Sequence, residues 1–87
     1  MEIGRVVMAK AGRDKGKYFV IVGVVDENHV WIANGTTRSV DKPKKKKIKH
    51  LEAKPDFMLE LKKKITKGHK IFDGEIRKSL EALGYDN

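Results

Sequence analysis

The sequence predicts a mainly β fold with an α appendage: a small, strongly bent barrel of four to five strands followed by two short C-terminal helices. Apolar and β-branched residues dominate short segments between residues 3 and 40, and turn residues separate these segments. From residue 55 onward, apolar residues recur at helical intervals instead. We divide the 87 residues into a barrel with a lysine-rich loop (1–53) and a helical extension packed on it (54–87).

The first two predicted strands cover residues 3–8 and 18–25. The second is a nearly continuous aromatic and β-branched run, which is typical of a strand covered on both faces or curled around a small barrel. We therefore expect Tyr18 and Phe19 to lie predominantly in the core. The polar segment between the strands, residues 12–16, begins and ends with glycines suited to positive φ and is predicted to be a loop.

The third predicted strand, residues 30–33, leads into Asn34-Gly35, a pair that favours a two-residue type I′ turn. That turn would place Trp31 opposite Arg38 on a fourth strand, residues 36–40. Residues 42–47 contain a proline and a lysine run, and are expected to form an exposed connection that cannot be buried. Residues 48–51 alternate once more and are predicted to form a short closing strand.

Two helices are predicted in the last third of the chain. Pro55 suits the first turn of a helix, which we expect to end at Gly68. The second helix has a good N-cap residue at Asp73 and ends before Gly84. Each helix has one apolar stripe, formed by Phe57, Leu61 and Ile65 in the first and by Ile76, Leu80 and Leu83 in the second.

Positive charge is concentrated in one segment. The chain has 20 Lys and Arg against 12 Asp and Glu, a net charge of +8. Residues 38–54 alone hold eight cations and two anions, a net charge of +6, whereas the segments on either side carry +1 each. Concentrated positive charge attracts polyanions, most commonly nucleic acid.

Several classes of function have no support in the sequence. There is no cysteine, so disulfides and thiolate zinc sites are excluded. No apolar run approaches the length of a membrane span, and no signal-peptide pattern opens the chain, so we expect a cytoplasmic protein with no membrane contact. His29, His50 and His69 lack metal-ligand spacing, and no catalytic or phosphate-loop motif is present. We expect no enzymatic activity, metal, cofactor or small-molecule substrate.

Residues 3–51 resemble the KOW motif. The resemblance is carried by Gly4-Arg5-Val6-Val7, by Ala11 through Lys17, and by the following strand Tyr18-Phe19-Val20-Ile21-Val22 with Asp26 and Asn28. The sequence of this segment is most similar to those of KOW-type large-subunit ribosomal proteins of archaea and eukaryotes, and is also similar to those of small bacterial KOW-domain RNA-binding proteins. The resemblance implies an SH3-like barrel that binds RNA through its first loop, here Lys10 to Lys17 with Gly16 at the characteristic glycine, and through basic neighbouring segments. Two departures are the bulky Tyr18 and Phe19, where many members have a second glycine, and the helical tail.

The candidate RNA-binding residues fall into three groups. The first loop offers cations beside flexible glycines, the lysine-rich segment offers point charges that neutralise phosphates, and a Trp31–Arg38 pair could form a stacking platform. We expect the Trp31 side chain to be covered by the C-terminal helices or, second, buried in the core; an exposed stacking platform ranks third. The residues are Arg13, Lys15, Gly16, Lys17, Trp31, Arg38, Lys44, Lys45, Lys46, Lys47, Lys49 and His50.

The leading hypothesis is a non-enzymatic module that binds structured or ribosomal RNA, and whose lysine segment and first loop contact one sugar–phosphate chain together. Replacement of residues 44–47 with alanine is predicted to weaken RNA binding without unfolding the protein. An alternative is an SH3-like adaptor for an acidic protein in transcription or ribosome assembly. DNA binding through the nearly charge-balanced second helix is weaker. The lysines of residues 62–70 are interpreted as a solvated helix face, with an extension of the RNA-binding surface as the alternative.

Overall fold

A computed structural model describes residues 1–87 as a five-stranded antiparallel sheet followed by two helices. The fold class predicted from the sequence is confirmed. The strands are β1 (Arg5–Ala9), β2 (Tyr18–Val24), β3 (His29–Ala33), β4 (Lys44–Lys47) and β5 (Leu51–Phe57), and the helices are α1 (Leu59–Thr66) and α2 (Asp73–Ala82). A single 3₁₀ turn, Ile48–His50, separates β4 from β5.

The strands lie in the order β4-β3-β2-β1-β5, so consecutive strands from β1 to β4 pair as neighbours and β5 returns to the side of β1. The β1–β5 register shifts between Arg5 and Val7, where β5 has extra residues around Pro55. Proline is tolerated there because β5 is an edge strand. Arg5 donates hydrogen bonds to the carbonyl oxygens of Lys54 (3.2 Å) and Pro55 (3.1 Å), which satisfies the backbone of the bulge.

One face of the sheet curls around an inner core. Successive strand residues point to opposite faces, so every second residue of β1, β2 and β3 faces inward. Phe19 is fully buried here, as predicted. The inner core consists of Val7, Ala9, Phe19, Ile21, Val30, Ile32 and Leu51, with Ile48 packed against it.

The opposite face of the same strands is covered by the two helices. A second cluster joins Val6, Val20 and Ala33 of the sheet to Leu61, Ile76 and Leu80 of the helices. Burial on both faces explains why β2 is a nearly continuous apolar run rather than an alternating one. The prediction that Tyr18 lies in the core is wrong: it is half-buried on this outer face, where its ring lies 4.8 Å from that of Tyr85.

The predicted hairpin after β3 is wrong. Gly35 has φ +77°, but no residue other than glycine has positive φ, so Asn34 cannot occupy a type I′ turn. Instead the buried Asn34 side chain organises a wider loop: its Oδ1 accepts from the backbone NH groups of Thr36 and Arg38, both at 3.0 Å. Residues 36–40 form no strand, and Trp31 does not face Arg38.

This loop packs against the start of α2. The Val40 NH donates to Asp73 Oδ1 at 2.8 Å, and Arg77 donates to the Gly35 carbonyl at 3.4 Å. Asp73 was expected to be the N-cap residue, but it is the first residue of α2, and Phe72 occupies the N-cap position. The Glu75 carboxylate accepts from the Phe72 NH at 2.9 Å and so satisfies the helix start.

Three further boundaries differ from the prediction. Residues 44–47 form β4 rather than an exposed connection, and residues 48–50 form a 3₁₀ turn rather than a strand. The first helix starts at Leu59, because Pro55 and Phe57 belong to β5. The division between residues 53 and 54 therefore falls inside a strand, and the sheet continues to Phe57.

Candidate nucleic-acid interface

The four consecutive lysines of β4 alternate between two environments. In the antiparallel register, Lys44 lies opposite Ile32 and Lys46 opposite Val30, so both point to the inner face of the sheet. Lys45 lies opposite Trp31 and Lys47 opposite His29, on the outer side. Strand geometry thus divides one charged run into two inward-facing and two outward-facing lysines.

Lys46 is buried and fixes the first loop. Its side chain is only 8% exposed, and its Nζ donates to the Ala11 carbonyl at 3.0 Å. Burial is the main reason that the pKa of Lys46 is lowered, and the neighbouring charge of Lys44 adds to it. Gly12 leaves room for the ammonium group, since a Cβ there would lie 3.3 Å from Nζ. The expectation that the whole lysine run is solvent-exposed is therefore wrong at Lys46.

Lys44 and Arg38 converge on a buried carboxylate. Lys44 Nζ lies 2.9 Å and Arg38 Nε 3.9 Å from Asp14 Oδ2, and Asp14 is 6% exposed. The hydrogen bond from Lys44 lowers the pKa of Asp14 and outweighs the opposing effect of burial. These contacts bring the first loop and β4 side by side, but they also mean that Lys44 and Arg38 are partly neutralised.

We expect Asp14→Asn to destabilise the fold by about 1.5–3 kcal/mol at pH 7, because it removes a charged hydrogen-bond acceptor from two cations. A carboxylate with a depressed pKa contributes stability above its ordinary value of 3.8, and this contribution is lost as the pH falls through the folded-state pKa. The difference between wild type and variant should therefore shrink below pH 3.8. Urea unfolding across pH 2.5–7 measures it.

The matched control for this variant is Glu27→Gln, which makes the same charge change at an exposed residue without an ion pair. It should shift the free energy of unfolding by less than about 0.5 kcal/mol. Equal effects of the two variants would show that Asp14 does not link the loop to β4.

A second set of cations is exposed and has no acidic partner. Lys45, Lys47 and Lys49 are exposed, and none of them lies within 4.0 Å of a carboxylate oxygen. The same is true of Arg13 and Lys15 in the first loop. Two more loop positions from the prediction lie beside them: Lys17, half-buried and also unpaired, and Gly16, exposed with φ +87°.

The half-buried His50 lies among these cations. Its pKa is lowered from the ordinary value of 6.5, first by burial and then by the neighbouring ammonium groups, so its ring is neutral at pH 7. The Lys10 NH donates to the His50 carbonyl at 2.8 Å, which joins the loop to the 3₁₀ turn. The contributing lysines are Lys49, Lys46, Lys47 and Lys10.

Lys10 is absent from the residues predicted as a site. The sequence offered one signal for it, its position at the start of the first loop, but its proximity to His50 depends on the β1–β5 pairing. We define the cationic surface as the seven exposed or half-exposed cations of the loop and the β4–3₁₀ segment: Lys10, Arg13, Lys15, Lys17, Lys45, Lys47 and Lys49.

Trp31 lies beside this surface, at the edge of the helix-covered face. It is 37% exposed, and its cross-strand neighbour is Lys45 rather than Arg38. The indole packs over Gly23, where a Cβ would lie only 3.0 Å from Trp31 Cδ1. Trp31 is therefore neither fully covered by the helices nor buried in the core. Ile65 and Ile71 lie near the ring, and part of the ring remains exposed.

The lysines of α1 differ from those of the cationic surface. Lys62, Lys63 and Lys64 each pair with a glutamate, at Nζ–Oε distances of 2.9, 3.6 and 2.7 Å. Their partners are Glu2, Glu60 and Glu75. This helix face is therefore largely balanced by the protein's own carboxylates, in agreement with its interpretation as a solvated face.

No group of three or more His, Cys, Asp or Glu side chains is arranged to hold a metal ion. Neither helix is long and apolar enough to cross a membrane.

Comparison with known proteins identifies relatives along nearly the whole chain. No protein-family model matches it. It is 36% identical over 84 residues to the large ribosomal subunit protein eL14 of Pyrobaculum calidifontis, which covers 97% of this chain and 75% of the relative. The corresponding protein of Pyrobaculum arsenaticum is 37% identical over the same shares. That of Hyperthermus butylicus is 33% identical over 97% of this chain and 79% of its own.

These relatives confirm the relation to large-subunit ribosomal proteins indicated by the KOW-like segment. The similarity also extends beyond that segment, since 84 aligned residues include the helices that have no counterpart in the motif. The chain belongs to the family of large ribosomal subunit protein eL14.

Proposed function

We propose that this protein binds ribosomal RNA as a non-enzymatic component of the large ribosomal subunit, and that its cationic surface contacts the RNA phosphates. The first loop and the β4–3₁₀ segment supply that surface together. The relatives are ribosomal proteins, which are not enzymes. Their family supports a ribosome-associated RNA-binding role.

One observation carries the assignment of the surface: its lysines have no carboxylate partners, whereas those of α1 do. Ion pairing within the fold neutralises Lys62, Lys63 and Lys64. Around His50, by contrast, no carboxylate offsets the ammonium groups, which add to the effect of burial in lowering the pKa of the imidazole. A surface that keeps its positive charge unneutralised is suited to a polyanion, because phosphates replace the missing carboxylates and release condensed counterions.

The inward-facing cations have a different role in this proposal. Lys46 and Lys44 hold the first loop against β4 through Ala11 and Asp14, at 3.0 and 2.9 Å. They hold the first loop beside β4, an edge strand. A sugar–phosphate chain that crosses this edge can contact both the loop cations and the outward-facing Lys45 and Lys47. Arg38, 3.9 Å from Asp14, belongs to the same support. Preorganisation of this kind reduces the loop ordering that binding would otherwise require.

Binding should depend steeply on salt. With about five phosphates engaged, a plot of log affinity against log salt concentration should have a slope near −3.5 to −4.5. Fluorescence anisotropy with labelled large-subunit rRNA fragments, titrated between 50 and 300 mM salt, measures this slope. Small-subunit rRNA fragments of equal length serve as the control for preference between the two subunits.

Two outcomes would contradict the proposal. A slope near zero would exclude phosphate contact as the source of affinity. Polyglutamate of matched length that binds as tightly as RNA would indicate a general acceptor of acidic chains, as the adaptor hypothesis expects, rather than an RNA-binding surface.

A further inference from the structure

A groove runs beside Trp31 between the sheet and the segment that joins the two helices. Its volume is about 280 Å³. Five of its eight lining residues are hydrophobic, and the other three are Pro43 and the charged residues Asp41 and Lys70. The lining residues are Val22, Trp31, Val40, Asp41, Pro43, Ile65, Lys70 and Ile71.

We propose that this groove binds a single unpaired nucleobase of the RNA, stacked on the Trp31 indole, with the flanking phosphates on Lys45 and Lys70. The inference rests on the proposed function and adds a base contact to the phosphate contacts described above. It names Lys70, Asp41 and the groove as parts of the RNA site, none of which the sequence predicted.

The size and lining of the groove favour one flat ring. Pockets for drug-sized molecules have volumes of about 300–1,000 Å³ and enclose most of their ligand, so this groove accommodates a smaller group. Trp31 provides an aromatic face. Its indole packs closely on the backbone of Gly23, where a side chain would leave no room for it. Stacking on an aromatic side chain is the usual way in which proteins hold unpaired bases.

The charges around the groove favour an RNA base over an apolar peptide side chain. Lys45 is the direct cross-strand neighbour of Trp31, is exposed, and belongs to the cationic surface. Lys70 lines the groove and is also exposed and without a carboxylate partner. A base in the groove would therefore have two unpaired cations available for its flanking phosphates.

Asp41 gives the groove a preference among bases. It is exposed, it lines the groove, and it forms no ion pair within the fold. An ionised carboxylate only accepts hydrogen bonds, so it favours a base with an exocyclic amino group. Cytosine has such a group and uracil has a carbonyl oxygen in its place. We expect cytosine to be preferred to uracil.

The protein's only tryptophan allows a direct test. Two labelled RNA hairpins with one common stem and loops of four cytosines or four uracils are titrated, with a blunt duplex of equal length as the RNA without unpaired bases. Anisotropy of the label reports binding, and quenching of tryptophan fluorescence reports stacking. We expect quenching by the hairpins, strongest with cytosine, and none by the duplex.

Variants separate the base contact from the phosphate contacts. Trp31→Leu should weaken hairpin binding about 5-fold to 100-fold and leave duplex binding unchanged, whereas Trp31→Phe should retain most of the affinity. Asp41→Asn should remove the preference for cytosine. Quenching of the unmodified protein needs no variant, so the test stands even if Trp31→Leu does not fold.

The outcomes distinguish the two proposals. If anisotropy shows salt-dependent binding of all three RNAs but tryptophan fluorescence does not change, the groove does not hold a base, while the phosphate-binding function stands. If none of the RNAs binds, both proposals fail together. Equal quenching by the duplex and the hairpins would also overturn the inference, because a paired base cannot enter the groove.

Discussion

Gly35→Ala is expected to destabilise the protein by about 2–4 kcal/mol. Gly35 has φ +77°, a conformation that alanine adopts only with strain. A Cβ at this position would overlap the carbonyl oxygen of Asp73 and lie 3.0 Å from the Arg77 nitrogen. Both are backbone atoms of α2 that cannot rotate away, so the helix or the loop must shift, which overpacks the contact. Urea unfolding of the variant measures the loss.

Gly68→Ala is the matched control, because Gly68 has φ +75° but no heavy atom within 4 Å of its ideal Cβ position. Alanine at Gly68 introduces the strain of positive φ but no steric overlap, so it should lower the free energy of unfolding by about 1 kcal/mol. The difference between the two variants isolates the contact between the loop and α2. If Gly35→Ala is no more destabilising than Gly68→Ala, the close approach of loop and helix is not a feature of the folded protein in solution.

The same contact explains why the hairpin at Asn34-Gly35 could not be predicted correctly from the sequence. The dipeptide is a strong local signal for a type I′ turn, but its outcome depends on a partner 38 residues later in the chain, Asp73. Asn34 uses its side chain to cap the loop, and Val40 bonds to Asp73 instead of to a strand. Tertiary contact overrides local turn preference here.

The strand formed by four lysines was unpredictable for a related reason. A β-strand is normally recognised by alternating hydrophobicity, and Lys44–Lys47 has none. Its alternation appears only in the fold, where Lys46 finds the Ala11 carbonyl and Lys44 finds Asp14. Both acceptors belong to a loop that lies some 30 residues earlier in the chain. No local pattern contains that information.

The elements that could be predicted are those whose apolar residues contact each other across strands or helical turns. β2 was recognisable because both of its faces are buried, at Phe19 and Ile21 inside and Val20 outside. The two helices were recognisable from their apolar stripes, although one predicted member of each stripe lies outside its helix: Phe57 belongs to β5, and Leu83 is the C-cap residue of α2. A buried face requires apolar residues at regular intervals in the sequence, whereas helix caps and loop contacts require no such pattern.

For the candidate site, the sequence showed where the positive charge is concentrated, but not which lysines support the fold and which face solvent. The +6 segment and the first loop were both identified, and the structure places them in contact. Which lysines support the fold and which face solvent follows from the β3–β4 register. This division also corrects the alanine replacement of residues 44–47, since it would remove the buried Lys46 and the Asp14 partner Lys44. A variant that tests RNA binding must spare both.

Replacement of Lys45, Lys47 and Lys49 with glutamine meets that condition and is expected to weaken RNA binding about 100-fold at 0.1 M salt. Each phosphate contact contributes about 0.7 to the slope of log affinity against log salt, which corresponds to about 0.7 decades between 1 M and 0.1 M. Three lost contacts therefore remove about two decades of affinity and about 2 from the slope. The fold should be unaffected, because all three side chains are exposed and unpaired.

A second triple variant separates local contact from overall charge. Lys63→Gln, Lys67→Gln and Lys78→Gln make the same charge change at exposed residues on α1, at its C-cap and on α2. Of the three, only Lys63 forms an ion pair, with Glu60 at 3.6 Å. If RNA contacts only the loop and the β4–3₁₀ segment, this variant should lose less than about 5-fold in affinity and keep the wild-type slope, because it removes long-range attraction that salt screens. Equal losses in the two variants would mean that affinity follows net charge and that no particular surface binds the phosphates. A large loss confined to the first variant would assign the contact to the lysines that the fold leaves without carboxylates.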